Sequence, residues 1–121
     1  MTNKDNTPIY VQLANRVIDD IANAKLSADD KIPSVRELAA IYEVNANTAM
    51  KAIEMLANNE IIYNKRGLGY FVSEGAEQKI VENKRKKFSE EYLPNLVKIM
   101  KQLNITFDDL KQQAQNLQIE D

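Results

Sequence analysis

The sequence predicts a mainly α-helical fold with one small β-hairpin, and three observations carry that prediction. Apolar residues return at helical spacing from Ile9 onward, and again within 35–42 and 49–57. Two β-prone triplets, Ile61-Ile62-Tyr63 and Tyr70-Phe71-Val72, flank a segment that holds two glycines. From about Ala76 the helical pattern resumes as a tail.

Taken in order, residues 1–7 are polar, and fraying is expected there. Pro8 suits the first turn of a helix, where its missing N–H costs nothing, and Ile9, Leu13, Val17 and Ile21 then mark one face. Residues 24–32 lose this period and read as a connector with Leu26 turned inward, and Pro33 pushes Ile32 towards extended backbone. Ser34 and Glu37 have capping-box spacing, and Val35, Leu38, Ala39 and Tyr42 give the second helix its buried stripe. Asn45 can cap a third helix running to about Asn58, with Ala49, Ile53, Leu56 and Ala57 on its inner face. The two helices are thus separated by Glu43-Val44-Asn45, a helix-turn-helix spacing. The hairpin follows with its loop expected at 64–69 and Lys65 and Arg66 at the tip. A basic hairpin directly after the second helix of a helix-turn-helix is a wing. The expected organisation is a winged helix-turn-helix domain over 8–75 and a helical tail over 76–121. Pro94 should kink or break the tail, and Thr106 with Asp109 should open a last helix.

Composition narrows the function. The 121 residues are 44% hydrophobic and 28% charged, which suits a soluble globular chain of one domain plus an appendage. With no cysteine and no histidine, disulfides, cysteine-based zinc sites, cysteine nucleophiles and histidine acid–base chemistry are all excluded. No enzyme, cofactor or metal site is expected. No apolar run approaches the ~20 residues of a membrane helix and no signal peptide opens the chain, so the expected location is the cytoplasm, away from membranes. The net charge of −2 argues mildly against nucleic acid, and residues 1–75 hold eight basic against ten acidic side chains.

The positions of particular residues matter more than that total. Pro8-Ile9-Tyr10-Val11-Gln12-Leu13, then Ile32-Pro33-Ser34-Val35-Arg36-Glu37-Leu38-Ala39, Val44-Asn45-Ala46-Asn47-Thr48, Lys51-Ala52 and Gly67-Leu68-Gly69-Tyr70-Phe71-Val72 follow one another in order. This series resembles the DNA-binding domain of GntR-family bacterial transcription regulators over roughly residues 8–72. The short helical tail, too small for the family's larger effector domains, resembles the YtrA-like subfamily. The resemblance implies a winged helix-turn-helix that binds a double-stranded DNA operator. It also implies a repressor acting on a transporter operon, often one of ABC type.

A recognition helix enters the major groove with its first turn foremost. Asn45, Asn47 and Thr48 occupy that turn; Asn can bond adenine in a bidentate way, and Thr can touch a phosphate or a thymine methyl. Asn45 has a second reading, as the helix cap, and Thr48 as a solvated residue. The family's matching arginine contacts DNA, which carries that role to Arg36; the alternative is a surface ion pair with Glu37 or Glu43. Lys51 reads as a phosphate contact or a solvated lysine. Lys65 and Arg66 would reach phosphates or the minor groove. Gly67 either lets the backbone approach DNA or simply supplies a tight turn, as Gly69 does. Ser34 is divided between capping and phosphate contact, and Tyr10 between phosphate contact and packing beneath the wing. Many relatives carry arginine or proline where this chain has Ala46, and Met50 is uncharged one turn later. With few phosphates neutralised, non-specific affinity should be weak and the salt slope shallow.

One recognition helix covers few base pairs, so specific binding calls for a second copy. The tail stripe of Phe88, Tyr92, Leu96, Met100 and Leu103, with Leu93, Val97 and Leu110 nearby, exceeds what two or three short helices bury, which points to a homodimer. Lys84-Arg85-Lys86-Lys87 reads as a solvated helix face or a contact to flanking DNA. A small-molecule effector, if one exists, would bind at the dimer interface or between tail and winged domain. The rival to DNA binding is a winged helix that docks other proteins without reading DNA.

Overall fold

The structure, a computed structural model, describes residues 6–117. The fraying expected at the N-terminus therefore falls largely outside the described residues. Six α-helices and one hairpin follow one another: α1 (Ile9–Ala22), α2 (Val35–Tyr42), α3 (Ala46–Asn58), β1 (Ile62–Lys65), β2 (Gly69–Val72), α4 (Ala76–Lys87), α5 (Leu93–Leu103) and α6 (Phe107–Asn116). A π-helical stretch, Phe88–Tyr92, joins α4 to α5. Contacts divide the chain into a unit ending at Glu82 and a second beginning at Asn83.

The N-terminal unit is a winged helix-turn-helix. Its core gathers Leu13, Val17 and Ile21 of α1, Leu38 of α2, and Ala49, Ala52, Ile53 and Leu56 of α3. Ile32, Ile61, Ile62 and Val72 close it from the sheet side. Fully burying a side chain of this kind contributes about 1.5–3 kcal/mol, so three amphipathic faces converging on one centre hold the helices together. Ala57 is only half-buried and Ala52 takes the inner position instead, because the inner face of α3 follows the 3.6-residue period rather than the apolar composition.

The helix ends are set locally. Ser34 Oγ accepts from the Glu37 N–H (3.1 Å) while Glu37 Oε1 accepts from the Ser34 N–H (3.1 Å), so the capping box at α2 is complete. Asn45 caps α3 through its Oδ1, which accepts from the Thr48 N–H at 2.8 Å. Between them Glu43 ends α2 in the left-handed conformation (φ 55°), and the Val44 N–H returns to the Ala39 carbonyl (3.0 Å). This left-handed residue turns the chain so that α2 and α3 can pack on one another.

One expectation for the wing needs correction. Lys65 pairs with Gly69, so Asn64 and Lys65 belong to β1 and the loop shrinks to Arg66-Gly67-Leu68. The Leu68 N–H closes it on the Lys65 carbonyl (2.8 Å), and Gly67 supplies the positive φ (80°) that the turn requires. The connector, in turn, is not a free loop. Asp29 donates to the Val72 carbonyl (2.8 Å), Val72 to Asp30 (2.9 Å) and Ile32 to Tyr70 (3.0 Å), and Lys31 bridges to Phe71. Residues 29–32 thus line the outer edge of β2 and satisfy backbone groups that would otherwise stay open. The Tyr63 hydroxyl donates to Asp29 Oδ1 (2.7 Å) and fastens the same segment to β1.

The division between units falls later than residue 75. Ala76 and Ile80, in the first turns of α4, belong to the winged core. In the second unit the break expected at Pro94 takes the form of the π-helical stretch, in which the Leu93 N–H reaches back to the Phe88 carbonyl. Widening the turn accommodates a ring that would collide with the carbonyl four residues earlier. Thr106 and Asp109 complete a capping box at α6 (3.0 and 3.1 Å). Among the described residues no helix is long and apolar enough to cross a membrane.

Candidate nucleic-acid interface

Three elements of the N-terminal unit carry the candidate residues: the first turn of α2, the first turn of α3, and the wing. Arg36 is the second residue of α2 and is exposed. The ion pair with Glu37 or Glu43 does not form, and the ion pair seen among the described residues is Lys79–Glu60 (3.2 Å). Glu37 is already engaged: the Ser34 backbone N–H first, and the Ser34 side chain second, hold its carboxyl below the usual carboxylate value. The Arg36 guanidinium is therefore exposed, with no hydrogen-bond or ion-pair partner among the described residues.

The first turn of α3 separates its two asparagines. Asn45 Oδ1 accepts from both the Thr48 N–H and the Thr48 hydroxyl (2.8 and 3.0 Å). Bidentate bonding to adenine needs the amide oxygen and the amide nitrogen together, so Asn45 cannot do this while it caps. Asn47 is exposed and holds no partner among the described residues, so its whole amide is open. The Thr48 hydroxyl proton is spent on the cap, which leaves its oxygen as an acceptor and its methyl as an apolar contact. Lys51 is exposed on the same helix, with Nζ 5.9 Å from the centre of the Tyr10 ring.

Tyr10 and Ser34 both make structural contacts. Tyr10 is half-buried against the core and borders a shallow groove with Lys51, Glu54, Met55, Asn58 and Asn59 of α3, rather than lying beneath the wing. Ser34 has both its N–H and its hydroxyl oxygen inside the capping box.

In the wing, Arg66 and Gly67 sit at the exposed tip, and beyond its own chain neighbours no described atom lies within 4 Å of a Cβ built on Gly67, so the backbone there is open to approach. Lys65 stands on β1 with Nζ 5.0 Å from the centre of the Phe71 ring, and Phe71 stacks on Tyr63 (5.9 Å). Lys31 is a further cation that the sequence did not reveal. Its Cε lies 3.2 Å from the position a Cβ on Gly69 would take, so it lies across the glycine beside Lys65's strand position. Lys31 also contributes to lowering the Glu37 carboxyl. Only long-range pairing brings it there, and no local pattern could have marked it. The domain is acidic in sum, and its cations nearest the wing are Lys65, Arg66 and Lys31, while the helix-turn-helix carries Arg36 and Lys51 beside Glu37, Glu43 and Glu54.

The tail residues divide as well. Phe88, Tyr92 and Leu103 are 51%, 58% and 62% exposed, and Leu96 is half-buried. Met100 is buried at 4%, so its side chain is not part of the exposed apolar surface as expected. Phe107 (68%) and Ile99 (41%) are exposed instead. Lys84, Arg85, Lys86 and Lys87 are all exposed in the last turn of α4, with Lys87 Nζ 5.7 Å from the Tyr92 ring centre.

An exposed arginine and an open asparagine on the first turns of a helix pair, beside a basic wing, define a DNA-binding protein of the winged helix-turn-helix class. Comparison with known proteins gives the family. The model of bacterial regulatory proteins, gntR family, matches residues 9–72, and the chain belongs to that family. It is 35% identical over 107 residues to the uncharacterized HTH-type transcriptional regulator YhcF of Bacillus subtilis, covering 88% of this chain and 87% of that protein. It is 40% identical over 81 residues to the HTH-type transcriptional repressor YtrA of the same organism, covering 67% of this chain and 62% of YtrA. Among solved structures, a putative GntR-family regulator from Bacteroides thetaiotaomicron superposes with a TM-score of 0.78 at 36% identity, over 91% of this chain and 96% of that one. The DNA-binding domain of AraR in complex with operator ORX1 superposes with a TM-score of 0.55 at 30% identity, over 60% of this chain and 87% of that one. The chain is thus a transcription regulator and not an enzyme.

Proposed function

We propose that the protein represses a transporter operon by binding a palindromic operator as a homodimer. The observation that carries the DNA-binding part of this reading is the pair of exposed side chains, Arg36 and Asn47, on the first turns of α2 and α3, neither with a partner among the described residues. Arg36 meets the DNA backbone or a base at its edge, and Asn47 reads a base in the major groove. Lys51, Lys65, Arg66 and the Gly67 backbone hold phosphates on either side. Ser34, Asn45 and Thr48 support the interface mainly by fixing the helix starts. Repression is supported by YtrA, whose name records a repressor. The transporter target follows from the resemblance to that regulator group.

The homodimer is supported by the exposed apolar side chains of the tail, Phe88, Tyr92, Leu103 and Phe107 among them. A second copy would cover them and supply a second recognition helix. A small-molecule effector would bind where the two copies meet. The protein-docking alternative is weaker, since a docking surface has no need of an arginine and an asparagine left open beside a basic wing.

Selection of bound DNA from a random pool tests the reading. Recovery of an inverted repeat supports it, with half-site centres one helical turn or a multiple apart. Recovery of a single asymmetric half-site sinks the dimeric mode.

A further inference from the structure

The solvent face of α3 carries two apolar residues that neither the core nor the phosphate contacts use. Ala46, Asn47, Met50, Lys51 and Glu54 are exposed, while Ala49, Ala52, Ile53 and Leu56 are buried. At 100° per residue Ala46 and Met50 lie one above the other along one edge of this face, and Asn47 and Lys51 along the other. Met50 is 40% exposed, a large apolar side chain left in water on the outer face of α3. Neither the Ala46 nor the Met50 side chain can bond a phosphate. Glu54, next along the face, is anionic and ends the surface that DNA can approach closely.

The major groove offers one apolar group for such an edge, the C5-methyl of thymine. Four residues of helix rise about 6 Å, close to the spacing of two base-pair steps, so Ala46 and Met50 would reach bases about two steps apart while Asn47 addresses another. A thioether side chain is flexible and polarizable, and it adapts to a methyl group without a fixed geometry. Desolvating both partners provides the gain, and no charge is involved.

We infer that Ala46 and Met50 form an apolar reading strip that seats thymine methyl groups, so that each half-site carries thymine beside the base pair read by Asn47. This rests on the reading that α3 enters the major groove. The strip gives specificity without adding cations, which agrees with a domain whose acidic side chains outnumber its basic ones.

The test uses the full chain and the DNA recovered by selection, with single thymines replaced by deoxyuridine. That change deletes one methyl and leaves pairing and every hydrogen-bonding group intact. For the unmodified protein, at least one thymine per half-site should lose about threefold to fivefold in affinity on losing its methyl. Met50→Ala should bind the thymine and deoxyuridine forms alike at that position, and Met50→Leu should keep the difference. Because Met50 is exposed, both variants should unfold at the wild-type temperature. A specific operator whose affinity ignores every thymine methyl overturns the strip while leaving DNA binding intact. So does a methyl effect that is the same in Met50→Ala. Failure to enrich any DNA overturns the groove placement of α3 itself, and the strip with it.

Discussion

Replacing Arg36 with alanine separates the DNA-contact role from a structural one. The side chain is exposed and makes no ion pair among the described residues, and the adjacent Glu37 is occupied by Ser34. Removing the guanidinium should therefore change the stability of the free protein by less than about 0.5 kcal/mol. On DNA the cost is larger. A hydrogen bond from a charged donor contributes about 1.5–3 kcal/mol, and a twofold complex loses it twice. The sum is about 3–6 kcal/mol, or roughly 10²- to 10⁴-fold in Kd. If the partner is a phosphate, the slope of log K against log salt should also flatten by about 0.9 per lost contact, about 1.8 for two subunits. Fluorescence anisotropy on the selected operator across a salt series measures both quantities, with thermal unfolding as the control. Arg36→Lys separates the modes, since lysine keeps the charge but not the planar fork. A stable Arg36→Ala protein whose Kd moves less than threefold at unchanged salt slope would refute the reasoning.

Other outcomes follow from single observations. Asn45→Ala removes the oxygen that caps α3 and should lower stability by about 1 kcal/mol in chemical denaturation; an unchanged midpoint would mean that the cap is redundant. Glu43 holds φ 55° without being glycine, so Glu43→Gly should gain about 0.5–1 kcal/mol, the relieved left-handed strain less the added chain entropy of glycine, whereas Glu43→Val should lose stability. Glu37 and Asp109 have carboxyls held low by backbone N–H bonds from Ser34 and Thr106. A carboxyl with a depressed folded value stabilises above its unfolded pKa, and that stability is lost as pH falls through the folded one. Circular dichroism from about pH 5 downward should therefore show the wild type losing stability more steeply than a Glu37→Gln, Asp109→Asn double variant. If the exposed tail residues meet a second copy, Leu103→Lys should shift sedimentation at micromolar concentration towards the monomer without unfolding the chain.

The features written in the sequence over three or four residues were read correctly from it. Ser34 with Glu37, Asn45 with Thr48, and Thr106 with Asp109 are contacts between residues three apart, so spacing alone implies them. The stripes of α1 to α3 and the three-residue turn between α2 and α3 are local for the same reason, and with them the winged helix-turn-helix. Candidate residues on those first turns, Arg36 and Asn47 above all, were legible because their positions are defined by the caps.

What the sequence left open is what depends on residues far apart. Residues 29–32 carry no strand pattern, and they become an edge of the sheet only because β2 offers them bonding groups. That pairing brings Lys31 to the wing, and the register of Lys65 with Gly69 moves Lys65 out of the loop. Likewise Ala76 and Ile80 join the winged core, and Met100 is hidden while Phe107 is exposed, because burial is a property of neighbours rather than of residue type. The sequence by itself determined the helices, their caps and the family of regulators. Tertiary structure decided which apolar side chains are buried and that Lys31 lies at the wing, since those neighbours are brought together only by pairing and packing between residues far apart.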